Sequence, residues 1–144
     1  EIMNTEHTWC QSWGSDTYPA KTDLNHIFPT MTVANSARSA HPFGWVMTPT
    51  WNMGGSSKGY NENYDIVFEP RDEHKGNAAR AMFYFAVRYQ MEIYYYQEEA
   101  LRDFNDLDPP DSAEIMRNDL IEEIQGTRNP FVDCPALVEL IEDF

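Results

Sequence analysis

The first third of the chain alternates between short apolar and polar runs, and this pattern predicts small elements rather than long helices. Residues 4–18 are aromatic and polar, which favours strands and loops. Asp23–Phe28 predicts a brief element that ends at Pro29. Thr30 can cap a short helix that continues to about Arg38.

The middle of the chain predicts one long loop and one short strand. Residues 40–63 are rich in Pro, Gly, Ser, Asn and Trp, a composition typical of an irregular surface loop. Ile66–Phe68 is an apolar run that Pro70 brings to an end, which predicts a strand.

The last half of the chain has helical periodicity. Residues 77–106 are apolar nearly all round, which predicts the central core helix, ended by Asp108-Pro109-Pro110. Asp111 or Ser112 can cap a further helix that stops at Gly126. The residues predicted to face inward from that helix are Ile115, Leu120, Ile121 and Ile124. Residues 136–143, after Pro135, predict a short terminal helix. The predicted class is α+β.

Length and composition predict one globular domain over residues 1–144. The chain is 42% apolar and 14% aromatic, so it is not a disordered sequence. No window approaches the roughly 18 uncharged apolar residues that a membrane span needs. We therefore expect a monomer that does not associate with membranes.

The net charge is -14, and the charge is unevenly distributed along the chain. Residues 1–60 hold few of the acids, namely Glu1, Glu6, Asp16 and Asp23. The acidity therefore lies away from the segment that holds three of the four histidines. One interpretation is a solvated surface. The alternative is that the acids serve binding, in a catalytically silent acidic protein such as a DNA mimic or a nuclease inhibitor.

Three residues of the N-terminal third carry candidate chemistry: Glu6, His7 and Asn35. A hydrolytic nuclease must deprotonate water near neutral pH, which suits histidine. It must also hold a divalent cation with few ligands, and magnesium prefers hard oxygens such as carboxylate and amide carbonyl. Taken alone, however, a Glu-His pair is more often a surface feature, and an Asn in a short helix is more often a cap.

Several blocks in order give a more specific signal. They are Glu6-His7-Thr8-Trp9 with Gln11-Ser12-Trp13, Asp23-Leu24-Asn25-His26-Ile27-Phe28-Pro29-Thr30, Val33-Ala34-Asn35 with Arg38-Ser39, Pro42-Phe43-Gly44, Val67-Phe68-Glu69-Pro70, Lys75-Gly76, Ala79-Arg80-Ala81, Phe83-Tyr84, Arg117-Asn118-Asp119, Ile124-Gln125-Gly126, and Arg128-Asn129-Pro130-Phe131. Together they resemble the endonuclease I family of secreted and periplasmic bacterial nucleases.

The resemblance implies a ββα-metal fold element and a metal-dependent, non-sequence-specific endonuclease. It makes Glu6 and Asn35 the metal ligands and His7 the general base, and it makes Arg38 and Arg80 the arginines that meet phosphate. A structural ion pair is the alternative for Arg80. The implied cofactor is Mg²⁺, with Ca²⁺ or Mn²⁺ as substitutes. The implied substrate is DNA, with RNA as a further candidate, bound through backbone phosphates and cut to 5′-phosphate and 3′-hydroxyl ends.

The sequence departs from the family pattern at three positions. Cys10 replaces a proline, Cys134 stands where a histidine is common, and Asn25 replaces the first of two adjacent histidines. A Cys10–Cys134 disulfide would tie the active-site segment to the C-terminus and fits export to an oxidising compartment. The alternative is two unpaired buried thiols.

The remaining histidines have less specific surroundings. His26 lies beside apolar Ile27 and is predicted to be a hydrogen-bonded structural residue, whereas His41 and His74 are predicted to lie on the surface. Consecutive strand residues point to opposite faces. If Glu6 and His7 share a cleft, the pair must therefore lie at a strand end or on irregular backbone.

Overall fold

The computed structural model describes residues 2–144, and this range contains five α-helices and two small antiparallel sheets. The strands are β1 (Met3–His7), β2 (Ile27–Met31), β3 (Thr48–Met53), β4 (Ser56–Tyr60) and β5 (Ile66–Glu69). The α-helices are α1 (Thr32–Arg38), α2 (Asp72–Tyr89), α3 (Tyr95–Leu107), α4 (Ser112–Gln125) and α5 (Pro130–Asp133). Short 3-10 turns occur at Gln11–Trp13, Ala20–Thr22, Leu24–His26 and Pro135–Leu140. The predicted α+β class is confirmed.

Strands β1 and β2 pair antiparallel and lead directly into α1, which gives the expected ββα element. The element expected to end at Pro29 instead continues through it, opposite Thr5. Both strands of a two-stranded sheet are edges, so a residue without an N–H is tolerated there. Helix α1 starts two residues beyond Thr30, because Thr30 is still paired in the sheet and Met31 precedes the helix.

The long loop predicted over residues 40–63 is wrong, since β3 and β4 form a hairpin there and β5 pairs with β4. Gly54 and Gly55 connect the two strands with φ of 57° and 85°. A tight hairpin turn with positive φ at both central positions suits glycine, which has no Cβ. The strand predicted at Ile66–Phe68 is confirmed as β5.

Helix α2 is the core helix, as predicted, with every residue from Ala78 to Ala86 buried. It starts earlier than predicted, at Asp72. It ends at Tyr89, where Gln90 adopts the left-handed conformation with φ of 55°. The single helix predicted to reach residue 106 is therefore two helices, α2 and α3, which pack against each other.

Helix α4 has the predicted caps but not the predicted buried face. Asp111 accepts a hydrogen bond from the Glu114 amide at 2.8 Å, and Gly126 ends the helix with φ of 74°. Ile121 is buried, but three residues expected to face inward are exposed: Ile115, Leu120 and Ile124. Polar Glu114 and Asn118 are buried in their place, because this face meets a buried arginine of α2.

The terminal helix predicted over residues 136–143 is a shorter 3-10 segment, Pro135–Leu140. Across the described residues, 2–144, no helix combines the length and the apolar composition that crossing a bilayer requires.

Candidate active site

Glu6, His7 and Asn35 line one cleft of about 480 Å³, at the end of β1 and beside α1. His7 is the last residue of β1, so the expectation of a strand end is confirmed. At this position the alternation of the strand no longer forces neighbouring side chains apart, and Glu6 and His7 both reach the same cleft.

The ring of His7 is oriented by a backbone carbonyl. Its Nε2 lies 2.9 Å from the carbonyl oxygen of Lys21, which can only accept a hydrogen bond. Nε2 therefore carries the proton in the neutral ring, and Nδ1 carries the lone pair. The Gln11 side-chain nitrogen lies 3.4 Å from Nδ1 and 3.2 Å from Nε2.

His26 is the structural histidine that the sequence predicts. It is fully buried, and its Nε2 donates to the carbonyl oxygen of Ala20 at 2.7 Å. Burial lowers the pKa of His26 to about 4, so the ring is neutral at pH 7. It packs edge-on against His7, with ring centroids 5.6 Å apart, and against Phe85, at 4.7 Å. The His7 ring is therefore supported from the core.

Asn35 is held by its amide nitrogen. Nδ2 donates to the carbonyl oxygen of Thr5 on β1 at 3.1 Å, which fixes the orientation of the side chain. Within residues 2–144, Oδ1 makes no hydrogen bond, so the harder of the two amide atoms is available to a ligand.

Glu6 is largely buried, with 13% of its side chain exposed, and its Oε1 accepts from Arg38 at 3.1 Å. Burial raises the pKa of Glu6 despite the nearby guanidinium. Its second oxygen, Oε2, has no hydrogen-bond partner in the described range. Glu6 therefore offers one free carboxylate oxygen to the cleft.

Arg38 lies in the wall of the cleft but is almost fully buried, with 2% exposed. Besides Glu6, its guanidinium donates to the carbonyl oxygens of His7 at 3.4 Å and Thr8 at 2.9 Å. The guanidinium also lies over the ring of Phe43, 4.5 Å from the centroid. These contacts hold the end of β1 and the Glu6 carboxylate in place.

Arg80 lies in the core of the helical region, the part of the molecule formed by α2, α3 and α4. It is not part of the cleft. It is fully buried and forms two hydrogen bonds with the Glu114 carboxylate, at 2.8 and 2.6 Å. Asn105 Oδ1 and the Asp108 carbonyl oxygen accept from it at 3.2 and 2.8 Å. This is the structural ion pair that the sequence left as the alternative, because the guanidinium is inaccessible to a phosphate.

The predicted disulfide is wrong, because both cysteines are free. Cys10 is buried against Arg38 and the carbonyl oxygen of Ser39, whereas Cys134 follows α5 and is exposed. The alternative of two unpaired thiols is therefore correct, although only Cys10 is buried. Burial raises the pKa of the Cys10 thiol.

Two further residues near the site were not recognised from the sequence, Arg71 and His74. They line a second cavity of about 210 Å³ that shares Glu6 and Asn35 with the cleft. His41 and His74, both predicted at the surface, are half-buried, and the ring of His74 meets Phe28 edge-on at 4.8 Å. The signal in the sequence that could have found them is their spacing: they are three residues apart at the start of α2, directly after the Val67–Pro70 block. Residues three apart on a helix lie on the same side of it.

The oxygens of the cleft fit the divalent metal that the family resemblance implies. Glu6 Oε2 and Asn35 Oδ1 are free, hard donors that could each hold such an ion. In residues 2–144 no three His, Cys, Asp or Glu side chains come together closely enough to hold a metal. Two protein ligands suit an ion that keeps several waters, as Mg²⁺ does.

Comparison with known proteins gives matches along nearly the whole chain. A sequence model of the family described as Endonuclease I matches residues 1–136. A protein of Bacillus subtilis (strain 168) named "Extracellular ribonuclease" is 35% identical over 162 residues, which cover 96% of this chain and 53% of that protein. A protein of the same name from Bacillus amyloliquefaciens is 37% identical over 161 residues, with the same two shares. The chain thus spans about half the length of these curated relatives.

Proposed function

Because the chain belongs to the endonuclease I family, we propose that it is a metal-dependent, non-sequence-specific endonuclease that hydrolyses phosphodiester bonds. The observation that carries this proposal is the cleft itself, where an oriented His7 lies beside two free oxygens, from Glu6 and Asn35. The products are a 5′-phosphate and a 3′-hydroxyl.

His7 is the general base. Its Nε2 proton is engaged by the Lys21 carbonyl, so Nδ1 takes the proton from the attacking water. The water oxygen forms the new bond to phosphorus, the bond from phosphorus to the 3′ oxygen breaks, and solvent supplies a proton to that oxygen. Packing of the ring on His26 limits its rotation and so supports one orientation of Nδ1.

Glu6 and Asn35 would hold the metal, since each has one oxygen that is free of hydrogen bonds. When bound, a Mg²⁺ ion, or Ca²⁺ or Mn²⁺ in its place, supplies positive charge that stabilises the phosphate and the leaving oxygen. Arg38 is a positioning residue, since it holds Oε1 of Glu6 and leaves the other oxygen free.

The proposed substrate is nucleic acid bound through its backbone, DNA and also RNA. Contacts to phosphates carry little sequence information, which suits a non-specific enzyme. The names of the two relatives support RNA as a substrate and, of the secreted and periplasmic locations expected for this protein, the secreted one. We expect it to act as a monomer.

The test is cleavage of plasmid DNA and of structured RNA with Mg²⁺, with Mn²⁺, with Ca²⁺ and with a chelator. Cleavage should require a divalent ion. His7→Ala should lower the rate by about 10²–10⁴-fold, the usual contribution of a general base. His41→Ala is the matched control, because His41 lines neither cavity, and it should retain the rate.

The rival function is the catalytically silent acidic binding protein. It predicts no cleavage by the wild-type protein with any of the three metals. A rate for His7→Ala equal to that of the wild type would contradict the assignment of the base while leaving the family membership intact.

A further inference from the structure

We propose that the second cavity is a subsite for one unpaired nucleotide of the substrate, with Arg71 on its phosphate and His74 beside its base. The inference rests on the proposed nuclease function and narrows its substrate class to single-stranded nucleic acid. RNA loops and single-stranded DNA share this chemistry.

The position of the cavity next to the metal ligands is the first support. Glu6, Asn35 and Arg38 line both the cavity and the cleft, so the two spaces adjoin the same proposed metal ligands. A substrate bound at these ligands therefore places a neighbouring nucleotide next to the cavity.

The size and lining of the cavity suit one ring system. Its volume of about 210 Å³ is below the roughly 300–1,000 Å³ of pockets that take larger ligands. Apolar side chains make up much of the wall: Met3, Phe28, Met31, Phe43, Met53 and Phe68. A flat, largely apolar base fits such a wall, whereas a hydrated ion or a phosphate alone does not.

Arg71 is the cation best placed for the phosphate. In a chain of net charge -14, half of the lysines and arginines form ion pairs: Arg38, Lys75, Arg80, Arg102 and Arg128. Arg71 is exposed and forms no side-chain hydrogen bond or ion pair within residues 2–144. It is also the one such cation that lines the cavity with Glu6 and Asn35. A guanidinium in this position suits bidentate contact with a phosphate.

His74 adds polar ring atoms next to the apolar side chains of the wall. Burial, helped by the charges of Arg71 and Arg117, lowers its pKa to about 4, so the ring is neutral at pH 7. A neutral imidazole has one donor and one acceptor, and both are without a partner in the part of the chain that the structure describes. They match the mixed donor and acceptor edge of a base without selecting one base strictly.

The substrate is expected to be single-stranded because its base must enter the cavity. A base in a duplex must leave its stack and its pair before it enters a side pocket, and this penalty is smallest for a base that is already unpaired. The cavity therefore favours single strands, although the metal site itself reads only backbone.

The first experiment compares kcat/KM on a single-stranded oligonucleotide and on the duplex of the same sequence. Thr30→Trp places a large side chain at the cavity wall, and Thr48→Trp adds the same side chain on β3, outside the cavity. We expect the wild type to prefer the single strand by at least about tenfold, and Thr30→Trp to remove most of that preference. Thr48→Trp should retain it. Equal loss on both substrates, with a folded circular dichroism spectrum, would overturn the subsite.

The second experiment measures binding of a labelled single-stranded oligonucleotide in chelator by fluorescence anisotropy over a range of salt. Arg71→Ala should weaken binding and reduce the slope of log K against log salt by about 0.7, the value for one lost phosphate contact on a single strand. Arg88→Ala, at an exposed arginine near the other end of α2, should leave the slope unchanged.

Binding can be measured without cleavage. The nuclease function and the nucleotide subsite can therefore be refuted independently of each other. A wild-type protein that cuts nothing would refute the nuclease function, while the slope still decides whether Arg71 binds phosphate. A slope unchanged in Arg71→Ala would overturn the subsite even in an active enzyme.

Discussion

Two buried arginines show how differently the two halves of the molecule use the same side chain. Arg80, in the helical region, has both oxygens of Glu114 as partners, along with Asn105 and a backbone carbonyl. Arg38, in the ββα element, engages only one oxygen of Glu6, and its own Nε is buried without a partner. The helical region satisfies its buried polar groups, whereas the ββα element leaves some of them incomplete.

The difference follows from the task of each region. An arginine with a complete set of partners fixes one packing of α2, α3 and α4, and any gap would cost stability. A carboxylate that is to bind a cation must instead keep an oxygen free. Incomplete pairing is therefore the feature that distinguishes the site from an ordinary buried ion pair.

The largest expected effect is a difference in stability between variants of Glu114 and of Glu6. Glu114→Ala leaves the buried Arg80 without its carboxylate and should lower the free energy of unfolding by about 3–5 kcal/mol. Glu6→Gln keeps an acceptor for Arg38 and should cost less than about 1 kcal/mol. It should, however, raise the metal concentration needed for half-maximal activity. Urea denaturation and a metal titration measure the two quantities, and similar stability losses in both variants would remove the contrast.

Acid should weaken the protein between pH 6.5 and 4 through its buried histidines. The lowered pKa of His26 means that the unfolded chain binds more protons in this range. Its contribution is complete above pH 6.5 and is lost as pH falls to about 4, which amounts to roughly 3 kcal/mol. His74 acts in the same direction, and Glu6, whose pKa is raised, acts in the opposite one above pH 4.5.

The hydrogen bonds of Asp23 provide an internal control. Gln125, the Asn25 amide, Tyr89 and Tyr84 hold the pKa of Asp23 below 3.8 despite its burial. Its contribution to stability is therefore lost only below pH 3.8.

The histidine effect is measured by denaturation at pH 7, 6, 5 and 4. The free energy of unfolding should decline over this range, and His74→Leu should make the decline shallower. A stability that is constant down to pH 4 would contradict the assignment.

Substitution of each arginine by lysine sharpens the comparison further. Arg38→Lys cannot reach Glu6 and the carbonyl oxygens of His7 and Thr8 together, so activity should fall by about 10–100-fold, as for other residues that orient metal ligands. Arg80→Lys should lower the melting temperature and leave the activity of the folded fraction nearly unchanged. A large activity loss in Arg80→Lys at a temperature where it is folded would break the distinction.

The smallest expected effect concerns salt. The net charge of -14 is concentrated beyond residue 60, so repulsion among acids weakens mainly the helical region. Added salt screens this repulsion over about 10 Å at 0.1 M. The melting temperature should rise by a few degrees from low to moderate salt, measured by scanning calorimetry. An unchanged value would show that the acids do not repel one another in the folded protein.

Much of the candidate site could be predicted from the sequence because its residues lie in short local blocks. Glu6 and His7 are adjacent, and Asn35 lies in a helix whose start was predicted to within two residues. Arg80 could not be placed in the same way, since its partner Glu114 lies 34 residues away and becomes visible only when α2 and α4 meet.

The errors in the fold have similarly physical causes. The hairpin of β3 and β4 has little apolar alternation, because most of its residues are exposed on this small sheet. The Gly54-Gly55 pair is therefore the one feature of the sequence that indicates a hairpin here. On α4, the isoleucines suggested an apolar face, but the partners required by Arg80 and the carbonyl oxygen of Asn129 decided which side is buried.

The unequal exposure of the two cysteines makes the chain convenient to handle. Cys134 is open to solvent and lies outside both cavities, while Cys10 is buried and has a raised pKa. A maleimide should therefore attach at Cys134 alone without any prior mutagenesis. A dye or a surface linker at this position would leave the cleft open, so one preparation could serve for single-molecule observation of the protein on a stretched nucleic acid.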